Sequence, residues 1–211
     1  MSTLLYVAAH PLTRQQSGSL STGEVFLKAY RDFHPGDEII ELNLFETAVP
    51  PIDEVAFRAW GRLRKGTPLE QLAPEEQQAA SAHARFSDQF VAADKYVFVN
   101  PMWNHFLPSQ MKAYLDTLCV AGKTFRYTSQ GPIGLLQNKK ALHIQAAGGV
   151  YDRSSPFIKD FGHAYLAHIM DFFGIQELQS LFIEGRDARP DQAAAILADA
   201  HEQAVQLARH F

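Results

Sequence analysis

The residues best suited to binding a ligand follow an uncharged segment near the middle of the chain. Residues 96–99 are Tyr-Val-Phe-Val, a run of high β-propensity with no charged side chain. Such a run is typical of a strand covered on both faces of a parallel sheet. Asn100-Pro101 predicts its end, because proline cannot donate to the ladder. The next residues are Met102, Trp103, Asn104 and His105. A thioether, an indole and an amide at the end of a buried strand suit a flat aromatic ligand, and the alternative is a loop that only caps the sheet.

A second candidate segment precedes the first predicted helix. Ser17, Gly18 and Ser19 stand where the unpaired N–H groups and the positive dipole end of a helix favour a phosphate. The hydroxyls add donors, Gly18 allows close backbone approach, and Arg14 adds positive charge. The alternative is that Ser17 or Ser19 only caps the helix. Neither G-x-G-x-x-G nor G-x-x-x-x-G-K-[ST] occurs in the chain, so the dinucleotide fingerprint and the Walker loop are both excluded.

A third candidate segment follows the fourth predicted strand. It consists of Ala146, Ala147, Gly148 and Gly149, with Tyr151 shortly after. Two consecutive glycines let the backbone approach a flat ligand closely, although an ordinary turn is the alternative. The carboxyl ends of parallel strands share one edge of a sheet, so we expect the three segments to converge there. A phosphate site beside a flat aromatic site fits a flavin mononucleotide.

The elements that must position these segments are five predicted strands and the helices between them. Apolar runs predict strands at residues 3–9, 37–44, 96–99, 140–145 and 179–183. Apolar spacing predicts helices within residues 20–33, 53–64, 74–93, 108–118, 155–173 and 191–209. This alternation predicts an α/β fold with a parallel sheet and helices on both faces. The charges in the second strand suggest a place near the sheet edge, and residues 123–132 predict a small hairpin over the site.

Length and composition limit the number of domains, the kinds of partner and the expected compartment. The length of 211 residues predicts a single domain over residues 1–211. A net charge of −4 gives no electrostatic reason to expect nucleic acid or an anionic membrane as partner. Cys119 is the only cysteine, so we expect no internal disulfide and no metal site, and interpret it as a small buried hydrophobe. We see no signal peptide and no membrane-spanning stretch, which makes the cytoplasm the expected compartment.

Several motifs together give the chain a resemblance to the bacterial FMN-dependent NADH:azoreductases, also described as NADH:quinone oxidoreductases. The motifs are Pro101-Met102-Trp103-Asn104, Phe125-Arg126-Tyr127-Thr128, Gly131-Pro132-Ile133-Gly134-Leu135, Lys139-Lys140-Ala141 with Gly148-Gly149, and Phe172-Phe173-Gly174-Ile175. The resemblance covers essentially the whole chain. It implies a flavodoxin-like fold with strand order 2-1-3-4-5, one non-covalent FMN per subunit, and a homodimer with both sites at its interface.

The resemblance also implies roles for individual residues. Ser17, Gly18 and Ser19 would hold the phosphate, and His10 lies in the same first loop. The ring and ribityl chain would be lined by Pro101, Met102, Trp103, Asn104 and His105. The pyrimidine end would be backed by Ala146, Ala147, Gly148 and Gly149, with Tyr151 nearby. Phe125 and Tyr127 would form a wall of the substrate pocket, or simply pack the hairpin.

This chain departs from the family pattern at several of these positions. Trp103 and His105 stand where other members carry tyrosine and phenylalanine, and a serine common in the first loop is replaced near His10. Ala146-Ala147 replaces Ser-Arg, which removes side-chain polarity near the flavin and bears on substrate preference more than on FMN binding.

The implied reaction is a ping-pong transfer of hydride from NADH or NADPH, through FMN, to quinones and aromatic azo compounds. The cofactor carries the chemistry, so no catalytic side chain is assigned. His105 is a candidate proton donor or simply a polar loop residue, and His143 is predicted to be a core histidine. The alternatives are an electron-transfer flavodoxin without its own substrate, which the modest charge argues against, and a flavodoxin-like module without cofactor.

Overall fold

Five parallel strands form the centre of the protein, which is described by a computed structural model over residues 1–151 and 159–211. In these ranges the strands are β1 (Thr3–Ala8), β2 (Glu38–Asn43), β3 (Lys95–Pro101), β4 (Phe125–Thr128), β5 (Gly131–Gly134), β6 (Lys140–Ala147) and β7 (Glu177–Glu184). The helices there are α1 (Gly18–Phe33), α2 (Glu54–Arg64), α3 (Pro74–Ala92), α4 (Ser109–Leu118), α5 (Phe161–Phe173) and α6 (Ala193–His210).

The sheet has the order β2-β1-β3-β6-β7, and every neighbouring pair is parallel. Counting only the strands of this sheet, the order is 2-1-3-4-5, as the sequence resemblance implied. The second strand is at the edge, which its charged side chains predicted. The small hairpin is confirmed as the antiparallel pair β4–β5.

Alternate residues of the central strands point into two separate cores. Leu5, Val7, Tyr96 and Phe98 belong to the core under α3, α4 and α5. On the opposite face, Leu4, Tyr6, Val97 and Val99 belong to the core under α1 and α6. Because both faces are covered, β1 and β3 need apolar side chains at every position, which explains the unbroken apolar runs.

The prediction that the central strand ends at Asn100-Pro101 is confirmed, because Pro101 is the last residue of β3 and is in register with Ala146. The carbonyl of Val99 accepts from Ala9, while the amide of Met102 donates to Ala146. Backbone groups alternate between the two neighbours along a strand, so the nitrogen of Pro101 faces the side of β1. Since β1 ends at Ala8, no ladder bond is required of that nitrogen.

Two other predicted boundaries shift. Residues 146 and 147 continue β6 and pair with Ile183 and Glu184 instead of starting a loop. The helix predicted over residues 155–173 begins at Phe161, where Asp160 is the N-cap and its carboxylate accepts from the amide of His163 at 2.9 Å. The first part of that prediction, residues 155–158, lies outside the described residues.

The interpretation of Cys119 as a buried residue was wrong. Cys119 is exposed and is the C-cap of α4. A helix end presents its last residue to solvent more readily than its central turns, and the apolar face of α4 already ends at Leu118.

Within residues 1–151 and 159–211, none of the helices combines the length and the apolar character that crossing a bilayer requires.

Candidate functional site

The ends of β1, β3 and β6 meet at one edge of the sheet, as predicted. Ala8 is in register with Val99, and Pro101 with Ala146. The amide of Ala9 donates to the carbonyl of Val99 at 2.8 Å, and the amide of Met102 donates to that of Ala146 at 2.7 Å. The segments that follow these strands therefore leave the sheet side by side, where open parallel sheets bind ligands.

The first of these segments ends in a capped helix. The hydroxyl of Ser17 accepts from the amide of Leu20 at 3.3 Å and lies 3.1 Å from the hydroxyl of Ser19. Ser17 is thus the N-cap of α1, which is the structural alternative considered above, and it faces the end of the helix that favours anions. Arg14 is less available than the sequence suggested, because its guanidinium forms an ion pair with Glu24.

His10 connects the first segment to the second. Its ring lies 5.6 Å from that of Trp103, centroid to centroid. The Nδ1 atom accepts from the amide of Leu12 at 3.0 Å, so the neutral ring carries its proton on Nε2. Burial lowers the pKa of His10, which also favours the neutral ring. An uncharged imidazole beside an indole extends the apolar part of this edge.

The second segment is a tight turn that the sequence did not reveal. Trp103 and Phe106 exchange backbone hydrogen bonds of 3.0 and 2.9 Å. Between them, Asn104 has φ 50° and His105 has φ 64°. Two successive residues at positive φ, closed by reciprocal bonds, form the primed type of two-residue hairpin turn, which usually contains glycine. Here the turn holds Trp103 39 % exposed at the edge of the sheet.

This turn is fixed to the start of α5. The carbonyl of His105 accepts from the amide of Phe161 at 3.0 Å, and its Nδ1 lies 3.2 Å from the carbonyl of Lys159. A Cβ on Gly162 would come within 2.9 Å of the backbone nitrogen of Leu107, so only glycine permits this approach. Strained residues that are held this firmly are typical of ligand sites.

In the third segment, Gly149 has room for a small side chain next to Tyr151. A Cβ on Gly149 would have Tyr151 as its nearest neighbour, at 3.4 Å, which is ordinary contact. Gly148 differs, since a Cβ there would lie 2.9 Å from Cγ of Asp187. Tyr151 is held by a bond from its amide to Glu184 at 3.1 Å, and its ring lies 5.9 Å from that of His105. The three predicted segments therefore converge.

A fourth segment, after β7, was missed. Gly185, Arg186 and Asp187 follow the strand directly. The amides of Gly185 and Asp187 donate to the carbonyls of Gly149 and Gly148 at 2.9 and 3.1 Å. The signal was available in the sequence, because glycine followed by a charged pair after a predicted strand occupies the same edge as the other three segments.

The two residues assigned to the substrate pocket occupy different environments. Phe125 is 6 % exposed and packs on Phe172, with ring centroids 4.5 Å apart. Tyr127 is 75 % exposed. Within the described residues, the ring of Phe125 contacts the rings of Tyr127 and of Phe172 in α5.

A cavity of about 750 Å³ lies next to this edge, between α1 and the end of β2. His10 and Phe45, whose rings contact Trp103, also line this cavity. Its walls do not include the turn at residues 103–106 or the two glycines. The edge at which the three segments converge therefore lies beside this cavity and not inside it.

Behind the turn lies a buried network of polar side chains. His143 is fully buried, as predicted, with Nε2 3.1 Å from Oδ1 of Asn100 and Nδ1 2.9 Å from Nδ1 of His163. The side-chain amide of Asn100 donates to the carbonyl of Pro101 at 3.0 Å. Gln145 donates to Asp160 at 2.6 Å. These bonds link the end of β3 to the cap of α5 and so support the turn from below.

Comparison with known proteins agrees with this fold. A family model described as the flavodoxin-like fold matches residues 2–208, so the chain belongs to the flavodoxin-like class of proteins. It is 49 % identical over 211 residues to the FMN-dependent NADH:quinone oxidoreductase 3 of Halalkalibacterium halodurans, with complete coverage of both chains. It is 43 % identical over the same length to the FMN-dependent NADH:quinone oxidoreductase 2 of Bacillus subtilis, again with complete coverage. Within its class, the chain is a member of the FMN-dependent NADH:quinone oxidoreductase family.

Solved structures support the same placement. A crystal structure of an azoreductase from Bacillus anthracis superposes with a TM-score of 0.92 at 34 % identity, with complete coverage of both chains. An FMN-dependent NADH-azoreductase from Bacillus anthracis, solved in complex with FMN, has a TM-score of 0.87 at 30 % identity. That match covers 99 % of this chain and 100 % of the other.

The residues present fit FMN. The phosphate end has a capped helix N-terminus, two serines and the guanidinium of Arg186, whose buried Nε has no hydrogen-bond partner in the described structure. The ring end has the turn bearing Trp103, and Gly149, where a Cβ would meet no atom closer than 3.4 Å. A dianionic phosphate and a flat ring are what these two ends would each recognise.

Proposed function

We propose that the protein is an FMN-dependent oxidoreductase that transfers hydride from NADH or NADPH, through bound FMN, to quinones and aromatic azo compounds. The observation that supports this best is the convergence, on one sheet edge, of a helix N-terminus, a strained aromatic turn and a glycine pair. Membership of the family indicates that the ligand bound at this edge is FMN. Residues 1–211 would form a single FMN-binding domain.

The roles of individual residues follow from their positions. Ser17, Gly18 and Ser19 hold the phosphate, and the backbone of residues 101–105 lines the ring and the ribityl chain. Gly148 and Gly149, with Ala146 and Ala147 behind them, bring backbone N–H groups close to the pyrimidine end. When bound, FMN supplies the two-electron chemistry, while the protein orients the ring and stabilises negative charge on it.

Substrate access is set by the surroundings of the ring. Trp103, His10 and Tyr151 form an aromatic border to the ring site, and Tyr127 projects from an exposed hairpin that would form a wall of the acceptor pocket. Such a border favours flat aromatic acceptors by stacking and offers little hydrogen-bond discrimination among them. Phe125 supports Tyr127 from the core, with ring centroids 5.3 Å apart.

The assembly and the compartment belong to the same proposal. Large apolar side chains are exposed near the site, including Trp103, Val150 and Phe161 at 39, 46 and 56 %. Their burial against a second copy would complete the pocket, so we place the sites at a homodimer interface in a cytoplasmic enzyme. Sedimentation would then give about twice the monomer mass of 23.6 kDa.

The test is an anaerobic titration of the purified yellow protein with NADH. Loss of the flavin's visible absorbance within the dead time of a stopped-flow instrument, followed by its recovery on adding a quinone, supports the proposal. An electron-transfer flavodoxin would remain yellow with NADH alone, and a module without cofactor would be colourless. Either of those results would exclude the enzyme.

A further inference from the structure

The segment after β7 places an arginine at the phosphate end of the site. Besides the bonds from Gly185 and Asp187, the amide of Ala188 donates to the carbonyl of Gly148 at 3.1 Å. Gly185 itself has φ 84°, which redirects the chain at the strand end. These bonds fix the backbone of Arg186 beside the glycine pair.

The side chain of Arg186 reaches across to the first turn of α1. Its Nη1 atom lies 2.6 Å from the position that a Cβ on Gly18 would occupy, and its CZ lies 3.7 Å from it. Gly18 is the first residue of α1, and Ser17, Gly18 and Ser19 are all buried. The guanidinium therefore lies against the helix terminus that is expected to bind the phosphate.

This arrangement is electrostatically unfavourable unless an anion is present. A helix N-terminus carries the positive end of the dipole and disfavours a neighbouring cation. Arg14, just before α1, and Arg31, in its last turn, each form an ion pair, with Glu24 and Glu41. Arg186 forms none in the described part of the chain, and its Nε is buried without a hydrogen bond.

We propose that Arg186 is a ligand of the FMN phosphate, together with the N-terminus of α1. The inference rests on the proposed function and adds a residue to its cofactor site. A planar guanidinium and a phosphate form paired, charge-assisted hydrogen bonds, which neutralise both the arginine and the helix terminus. Arg186 would therefore determine the preference for FMN over riboflavin, which has the same ring without the phosphate.

The experiment measures FMN and riboflavin binding to the apoprotein by quenching of flavin fluorescence. The variants are Arg186→Gln, Arg186→Lys and, as a matched control, Arg189→Gln, which removes an exposed arginine from the same segment. We expect Arg186→Gln to weaken FMN binding about ten- to a hundredfold, the range for a lost hydrogen bond to a charged group, with riboflavin binding unchanged. Arg186→Lys should recover part of the loss, and Arg189→Gln should bind FMN like the wild type.

Each other result has a distinct meaning. Equal losses of FMN and riboflavin binding in Arg186→Gln would show that Arg186 only maintains the fold, and no loss would show that it does not bind the phosphate. Tighter FMN binding would show that the side chain obstructs the site. These three results overturn the inference and leave the proposed function intact. A wild-type protein that binds neither flavin would overturn both.

Discussion

At the scale of single residues, the backbone of the site is strained at Asn104 and His105, which both have positive φ. Each non-glycine residue in the left-handed region costs roughly 1–2 kcal/mol, although asparagine tolerates the region better than most. The reciprocal bonds between Trp103 and Phe106 and the bond from Phe161 to the carbonyl of His105 hold them there. A cost retained at the edge where a ligand would bind is consistent with a backbone that is shaped before the ligand arrives.

Gly149 allows a test of the site without a change in the fold. Gly149→Val should lower thermal stability only modestly, because its Cβ would meet Tyr151 Cε2 at 3.4 Å, which is ordinary contact, and its two Cγ atoms would meet the end of a side chain and not backbone. The same valine would occupy the space through which the ring approaches the backbone, so we expect FMN binding to fall at least tenfold, the effect of about 1.4 kcal/mol. Calorimetry of folding and of flavin binding checks both parts. Unchanged FMN affinity would remove the third segment from the site.

At the scale of elements, the hairpin and α5 are joined by a contact between two glycines. A Cβ on Gly134 would lie within 2.5 Å of Cα of Gly174, and the amide of Leu136 donates to the carbonyl of Phe173 at 2.8 Å. Backbone atoms cannot move aside as the end of a flexible side chain can. The position of the hairpin, and with it Tyr127, therefore depends on a close contact far from the flavin edge.

Gly134→Ala should destabilise the protein by about 1–3 kcal/mol, the usual effect of overpacking. Gly61→Ala is the matched control, because Gly61 lies inside α2 and a Cβ there meets no atom within 4 Å. The control should gain about 0.5–1 kcal/mol, since alanine has the higher helix propensity. Urea unfolding measures both changes. Equal stabilities of Gly134→Ala and the wild type would show that the hairpin is not held at this contact.

His201 in α6 lies next to α1 and senses the charge of Arg186 in the segment after β7, so its pKa reports on the position of Arg186. Its Nε2 lies 3.0 Å from the hydroxyl of Ser21 in α1. Burial, and then the positive charge of Arg186, lower the pKa of His201. Removing that charge should raise this pKa toward the ordinary value of about 6.5.

We therefore expect the NMR titration of His201 to move to higher pH in apo Arg186→Gln than in the apo wild type. Adding FMN to the wild type should produce a shift in the same direction, because the phosphate would offset the guanidinium. Adding riboflavin should not. His201 titrating identically in the wild type and in Arg186→Gln would place Arg186 too far away to influence it.

At the scale of the whole molecule, the sequence predicted the strands of the sheet better than the conformation of the segments that follow them. Unbroken apolar runs and helical spacing were sufficient for a parallel sheet with helices on both faces, because burial on two faces leaves a strong signal, and the strand order came from the family resemblance. The end of β3 was predicted correctly from Pro101, whose own sequence context is sufficient to stop a strand. The turn at Asn104-His105 and the position of the Arg186 side chain were missed, because each depends on contacts between segments that are distant in the sequence. The turn is maintained by contacts with α5, and the segment of Arg186 by contacts with the glycine pair. The sequence could have placed that segment at the same edge, but it does not encode the contact between Arg186 and Gly18.

At the amino-terminal ends of the strands, opposite the candidate site, one carboxylate joins several elements. Asp37 accepts from the amide of Ser2 at 2.8 Å, the hydroxyl of Tyr30 at 2.7 Å and the ammonium of Lys95 at 3.1 Å. Burial alone would raise the pKa of Asp37, but these three donors outweigh it and hold the pKa well below its usual value. The side chain is 13 % exposed and ties together the starts of β1, β2 and β3 with the last turns of α1.

Because the folded state lowers this pKa, the unfolded chain takes up the proton at higher pH, and stability falls as the solution is acidified. The contribution of Asp37 is fully present above the unfolded value of about 3.9 and is lost as the pH falls toward the folded value. Asp37→Asn should therefore be less stable than the wild type by about 1–3 kcal/mol at pH 7, with the difference shrinking below about pH 4. Urea unfolding across this pH range, with the exposed Asp32→Asn as control, measures it. A difference that stays constant down to acid pH would show that the carboxylate's charge does not hold these elements together.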